Sequence, residues 1–233
     1  MKKGVRGQGS GVRGKNAIDF RFYLITDRKL IPNPQFLIPA VARALKGGVK
    51  AVQLREKDLN TRELLKLAYK MRTLTDKYKA KLFINDRFDI ALAVGADGVH
   101  LAQNSIPVHA VRKALHTSRI THHASRFLIG VSTHSLKEAK EAEKGGADFI
   151  TLGPLYTTPS KRKYGKPVGL DTLRTVSGRI KIPIFAIGGI KGDKINDVME
   201  QGAYGAAMIS EIFGADNIQR KTMELMEILR NKV

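Results

Sequence analysis

The sequence predicts an α/β protein of the (β/α)8 TIM barrel class over residues 20–233. Three observations carry that prediction. From Phe20 onward, short apolar runs alternate with amphipathic stretches, and eight such pairs can be counted. The runs are apolar on consecutive positions, as strands buried on both faces must be. A glycine-led signal that closes a helix and launches a strand recurs at Gly47-Gly48-Val49-Lys50-Ala51-Val52, Gly95-Ala96-Asp97-Gly98-Val99, Gly145-Gly146-Ala147-Asp148-Phe149-Ile150 and Gly202-Ala203-Tyr204-Gly205-Ala206. Gly48, Gly95, Gly146 and Gly202 lie 47, 51 and 56 residues apart, two βα units each. Each suits the left-handed position just past a helix C-terminus. A doubly wound open sheet is the weaker alternative for the same alternation.

The strands expected in order are 22–26, 51–54, 81–84, 98–101, 127–131, 149–152, 182–187 and 205–209. The helices between and after them fall near 35–46, 61–79, 87–94, 107–115, 135–145, 170–177, 192–201 and 217–231. The second helix is the clearest. Leu64, Leu65, Leu67, Ala68, Met71 and Leu74 show the spacing of one buried helical face. Ser135 with Glu138 three positions later has the spacing of a capping box.

Residues 1–19 differ from this pattern. They are rich in glycine and basic residues, with few large apolar side chains to offset the entropy of ordering, so a flexible basic tail is expected there. The chain of 233 residues carries 41 Lys+Arg against 21 Asp+Glu, a formal charge of +20. Setting aside the five basic residues and one acidic residue of 1–19 leaves an excess of 16, so the charge is spread through the body. Without a helix-turn-helix, RNP or zinc motif, a diffuse excess suits attraction of phosphorylated small molecules better than a nucleic-acid partner. The absence of cysteine excludes disulfides, thiolate metal sites and a cysteine nucleophile. No apolar run approaches membrane-spanning length and the N-terminus has no apolar segment behind its charges, so a cytoplasmic protein is expected. Assembly into a homo-oligomer is left open.

In a barrel of this class, chemistry gathers at the C-terminal strand ends. After the second strand, alternation points Gln53, Arg55 and Lys57 one way, and an arginine fork beside a lysine suits a diphosphate; an internal salt-bridge network would use the same side chains. After the third, Asn85 and Asp86 offer hard oxygen ligands for Mg2+, although Asp86 also suits a helix N-cap. Ser132 and His134 end the fifth strand, His134 as a functional or a structural histidine; the other histidines are expected on the surface. The loop 153–167 after the sixth strand is long and rich in hydroxyls and cations, which suits a lid over an anion or a solvated basic loop. Gly188-Gly189 and Ile209-Ser210, after the last two strands, suit a phosphate cup built from backbone N–H groups.

Together, Gln53–Lys57, Ile84–Arg87, Ala96–Leu101, Ser132–His134, Gly153-Pro154, Thr158–Lys161, Ala186–Ile190 and Ile209-Ser210 resemble the thiamine phosphate synthase family over about residues 22–227. The resemblance implies a Mg2+-dependent transferase of thiamine biosynthesis. Such an enzyme joins hydroxymethylpyrimidine diphosphate to hydroxyethylthiazole phosphate and releases diphosphate. It implies that Gln53, Arg55, Lys57, Asn85 and Lys161 hold the diphosphate and pyrimidine, that Asp86 binds Mg2+, and that Ser132 contacts the pyrimidine. Thr158, Ser160, Gly188, Ile209 and Ser210 would line the pocket and the thiazole phosphate cup. Two positions depart from the family pattern: Ser105 stands where a second Mg2+-binding Asp is usual, and Ser160 where Thr is usual. The related thiazole tautomerases also lack that Asp, and their acid/base histidine would correspond to His134. The tautomerase is therefore the alternative reading, and a non-enzymatic regulatory or nucleic-acid-binding barrel a third. The retained set Gln53, Arg55, Lys57, Asn85, Asp86 and Lys161 favours the synthase.

Overall fold

A computed structural model describes residues 18–117, 127–158 and 166–231. Eight parallel strands pair in sequence order and close: β1 (Phe22–Ile25), β2 (Ala51–Leu54), β3 (Lys81–Asn85), β4 (Gly98–Leu101), β5 (Leu128–Thr133), β6 (Phe149–Leu152), β7 (Ile184–Ile187) and β8 (Gly205–Met208). Closure is made by β8 against β1, with Tyr23 opposite Ala207 and Leu24 opposite Met208. The helices are α1 (Leu37–Lys46), α2 (Thr61–Lys77), α3 (Phe88–Ala93), α4 (Val108–Thr117), α5 (Leu136–Gly145), α6 (Leu170–Ser177), α7 (Ile195–Glu200), the single turn α8 (Ser210–Phe213) and α9 (Ile218–Arg230). The expected (β/α)8 barrel is therefore the observed fold, and the open sheet is set aside.

Strand alternation sorts the core into two bodies. Outward-facing residues such as Leu24, Val52, Leu54, Leu82, Ile84, Val99 and Leu101 pack beneath the helices. Inward-facing Tyr23, Phe83, Phe149 and Phe185 form a separate aromatic cluster with Ile18 and Phe20. The ring of Phe20 lies 5.1 Å from that of Phe185 and 5.9 Å edge-on from that of Phe149. Ile18 is buried although it falls inside the segment expected as a tail, and its carbonyl accepts a hydrogen bond from the Tyr204 hydroxyl at 2.7 Å. Ile18 and Phe20 precede β1, so they plug the N-terminal end of the barrel. The opposite end carries the polar residues.

Local signals explain the element ends. Gly48, Gly95, Gly146 and Gly202 all have positive φ, as the launch signal requires. Asn60 and Glu63 form a full capping box at the start of α2. At α5 only half of the expected box forms: Ser135 accepts from the Glu138 N–H, but the Glu138 carboxylate turns to His134 instead. No described helix is long and apolar enough to cross a membrane.

Candidate active site

The C-terminal mouth is built outward from a buried polar layer above the aromatic cluster. Gln53 on β2 is buried and its Nε2 donates to the Tyr23 hydroxyl at 3.2 Å. That hydroxyl lies 3.4 Å from His100 Nδ1, and His100 Nε2 lies 3.1 Å from Ser132 Oγ and 3.4 Å from Thr151 Oγ1. His100 is thus a buried interior residue, which corrects its expected surface position. The missed signal was parity: His100 is two residues beyond Gly98 on β4 and points inward, as Gln53 does on β2. His109 and His116 are exposed as expected, and His122 and His123 lie outside the described residues. Burial and, secondarily, the Arg55 charge push the His100 pKa down to about 3, so the imidazole is neutral near pH 7. Burial also drives the Tyr23 hydroxyl well above its ordinary value.

Arg55 stands above this layer, half-buried just past the end of β2. Its backbone N–H donates to Thr26 Oγ1 at 2.9 Å, and Thr26 donates in turn to Glu56 Oε1 at 2.5 Å. Glu56 is buried and also accepts from the Arg28 N–H at 3.0 Å, so its carboxylate ties the β1–α1 loop to the backbone that carries Arg55. Burial raises the Glu56 pKa, an effect partly opposed by those hydrogen bonds. Thr26 and Glu56 were not singled out in the sequence, where Glu56 lay hidden inside the polar run of Gln53–Lys57. Among the described residues the Arg55 guanidinium has no hydrogen bond or ion pair, so it is not spent on the internal network that the sequence left open. Lys57 is exposed, in the turn beyond the strand, and has a partner of its own.

Asn85 ends β3 opposite His100. Asp86 follows with φ 63°, a conformation that costs a non-glycine residue about 1 kcal/mol or more and is enriched at functional sites. Its N–H is held by the His100 carbonyl at 2.9 Å. Asp86 is exposed and does not cap α3: Arg87 occupies the cap position and makes no side-chain capping bond, which corrects the N-cap reading. Ser105 Oγ accepts from the Ala102 N–H at 2.7 Å, pinning the turn after β4. Among the described residues, no group of three or more histidine and carboxylate side chains could hold a metal.

On the other side of the mouth, Ser132 is half-buried on β5, whereas His134 is exposed and engaged with Glu138 through Nδ1 at 3.0 Å and through its backbone N–H at 2.8 Å. The structure therefore joins Gln53, Ser132 and His100 in one network and leaves His134 out of it. The base of the β6–α6 loop is pinned where Val168 N–H donates to Pro154 O and Tyr156 N–H to Gly188 O. Thr158 is half-buried at the edge of the described loop; Ser160, Lys161 and the rest of 159–165, the middle of the expected lid, lie outside the described residues. Gly188 has φ 94°, and a Cβ there would come 2.5 Å from Pro154 Cβ. Gly188→Ala is therefore expected to lower stability by about 2 kcal/mol; a urea midpoint equal to that of the wild type would contradict this packing. Half-buried Ile209 and exposed Ser210 open the single turn α8 after β8.

A closed parallel barrel, sealed by aromatics at one end and carrying an unpaired guanidinium and hard oxygen donors at the other, is the architecture of a barrel enzyme acting on small anionic substrates. A family profile described as thiamine monophosphate synthase matches residues 22–212. A Geobacter sulfurreducens protein provisionally named thiamine-phosphate synthase is 48% identical over 212 residues, 91% of this chain and 95% of that protein. The thiamine-phosphate synthase of Clostridium novyi is 41% identical, over 91% of this chain and 99% of its own. The solved structure of the Pyrococcus furiosus thiamine phosphate pyrophosphorylase superposes with a TM-score of 0.81 at 37% identity, covering 93% of this chain and 98% of that one. The chain belongs to the thiamine monophosphate synthase family.

Proposed function

We propose that the chain is a thiamine phosphate synthase, a cytoplasmic transferase that joins hydroxymethylpyrimidine diphosphate to hydroxyethylthiazole phosphate and releases diphosphate. The observation that carries this reading is the unpaired, half-buried Arg55 guanidinium at the same end of the barrel as Asn85, Asp86 and Ser132, in a barrel of this family. The reaction breaks the bond between the pyrimidine methylene carbon and the diphosphate oxygen, and the bonding pair leaves with the diphosphate. The thiazole nitrogen then supplies the pair for the new C–N bond. No protein nucleophile is needed. Arg55, Lys57 and Lys161 stabilise the negative charge that grows on the leaving group. Gln53 and Ser132 orient the pyrimidine, and Thr158, Ser160, Gly188, Ile209 and Ser210 hold the thiazole phosphate.

The donor set fits Mg2+ as a single-carboxylate site. This cation retains several waters and commonly takes one or two carboxylates plus substrate phosphates, so Asp86 with the diphosphate is sufficient. When bound it would neutralise part of the diphosphate charge. Asp86 has no protein hydrogen bond to its carboxylate among the described residues, which leaves it available for this role. The tautomerase alternative is not favoured, because its acid/base candidate His134 is exposed and paired with Glu138, away from the buried network.

Purified protein given both phosphorylated substrates and Mg2+ should form thiamine phosphate, and a chelator should stop it. No product, while a control synthase works, would overturn the reading. Ser105→Asp should keep the bond from the Ala102 N–H and add a second carboxylate, lowering the Mg2+ concentration for half-maximal synthesis several-fold without changing KM for the thiazole phosphate. An unchanged Mg2+ requirement would show that position 105 lies away from the cation.

A further inference from the structure

We propose that His100 is a positioning residue which, together with Tyr23, fixes the direction in which Ser132 and Gln53 present hydrogen bonds to the pyrimidine. The inference rests on the synthase reading. It starts from the donor and acceptor inventory of one buried chain of side chains. Gln53 Nε2 donates to the Tyr23 hydroxyl, so that oxygen is already an acceptor and its proton is free to point at His100 Nδ1. Tyr23 is fully buried and, among the described residues, its proton has no acceptor other than Nδ1, so Nδ1 is the bare nitrogen and Nε2 carries the hydrogen. Nε2–H donates to Ser132 Oγ, with Thr151 Oγ1 a longer second partner. Ser132 Oγ therefore accepts from below and offers its own proton to the mouth. At the other end of the chain, the Gln53 amide donates through Nε2 and leaves its oxygen without a partner among the described residues.

The mouth thus presents one acceptor, on Gln53, and one donor, on Ser132. A ring bearing an exocyclic amine next to a bare ring nitrogen matches that pair. An oxo ring, with a carbonyl next to a ring N–H, opposes it at both positions and would require every bond in the chain to reverse. Two features keep the relay in place. Gly130 leaves room for the imidazole, since a Cβ there would come 2.6 Å from His100 Nδ1. The imidazole also packs against the rings of Tyr23 and Phe149, with centroids 5.7 Å and 5.8 Å away, which fixes its plane between the Tyr23 hydroxyl and Ser132.

Two measurements test this. In the full-length protein without substrate, nitrogen NMR of labelled histidine should show His100 as the Nε2–H tautomer at pH 7; the Nδ1–H tautomer would overturn the proposal whatever the enzyme's activity. In synthesis assays, the wild type should prefer the aminopyrimidine diphosphate over its oxo analogue. His100→Leu and Tyr23→Phe should each reduce that preference about tenfold, as expected for the loss of one buried hydrogen bond. KM for the thiazole phosphate should change less than about twofold, by the same reasoning that its cup is remote. His100→Gln, which retains a side-chain amide donor for Ser132, should restore most of the preference. Tyr23→Phe keeps the ring in the aromatic cluster, so it remains informative if His100→Leu does not fold. An unchanged preference in folded Tyr23→Phe would overturn the proposal. A wild type that makes no thiamine phosphate would instead remove the synthase reading, and the tautomer measurement would still decide the direction of the relay.

Discussion

Replacing Arg55 with alanine is expected to lower kcat/KM for the pyrimidine diphosphate by about 10²–10³-fold, the range for deleting one donor aimed at a developing anion. The Arg55 backbone is fixed through Thr26 and Glu56, while its guanidinium is half-buried and has no partner among the described residues. A cation held in this way contributes little to folding and is available to a ligand. Most of the loss should appear in kcat, because charge on the departing diphosphate is greater in the transition state than in the bound substrate. Arg55→Lys should recover only part of it, since a point charge cannot reproduce the two-pronged fork. The urea midpoint should barely move. A kcat/KM within about threefold of wild type would show that this guanidinium does not meet the leaving group.

The second large effect concerns acid stability. His100 has its pKa depressed from the ordinary 6.5 to about 3, first by burial and then by Arg55. Unfolded chains protonate this imidazole below about pH 6.5, whereas the folded protein does so only near pH 3. Its contribution to stability is therefore complete above pH 6.5 and drains away as pH falls through that window, at about 1.4 kcal/mol per pH unit and on the order of 5 kcal/mol in all. Glu56 works the other way. Its raised pKa gives a contribution that is full below the unfolded value and lost as pH rises through the folded one, so protonating it offsets part of the acid loss. Urea unfolding of wild type and His100→Gln between pH 7 and pH 4 isolates the histidine. The wild type should show a clearly steeper fall, and parallel curves would contradict a neutral buried imidazole.

Much of the fold was legible because the relevant signals are local. The strands Ala51–Leu54, Gly98–Leu101 and Phe149–Leu152 have the expected bounds at both ends, each being apolar but for one inward polar residue and launched from a left-handed glycine. β5 runs two residues longer than its apolar core: Ser132 and Thr133 continue the ladder against Thr151 and Leu152, and the Thr133 hydroxyl donates to the Thr151 carbonyl. Hydrophobicity cannot signal such an extension. β7 begins at Ile184, after Pro183, which has no N–H to offer a ladder. The single turn Ser210–Phe213 is too short to show helical periodicity and was not expected.

Legibility of the site divides along the same line. Gln53, Arg55, Asn85, Asp86 and Ser132 stand out as polar residues at strand ends. Tyr23, His100 and Thr151 lie within strands, where an isolated polar residue looks like any other core position until closure of the barrel brings β1, β4 and β6 face to face. Thr26 and Glu56 likewise acquire meaning only when the first two βα loops meet. Such contacts depend on tertiary closure and not on spacing along the chain.

The central claim is that the C-terminal mouth couples loss of diphosphate to capture of the pyrimidine by the thiazole. The most direct test is to quantify both products in one reaction with Mg2+ and the two phosphorylated substrates. One diphosphate should be released for each thiamine phosphate formed, with little release when the thiazole phosphate is omitted. Diphosphate release without thiamine phosphate, or no release at all, would contradict the account.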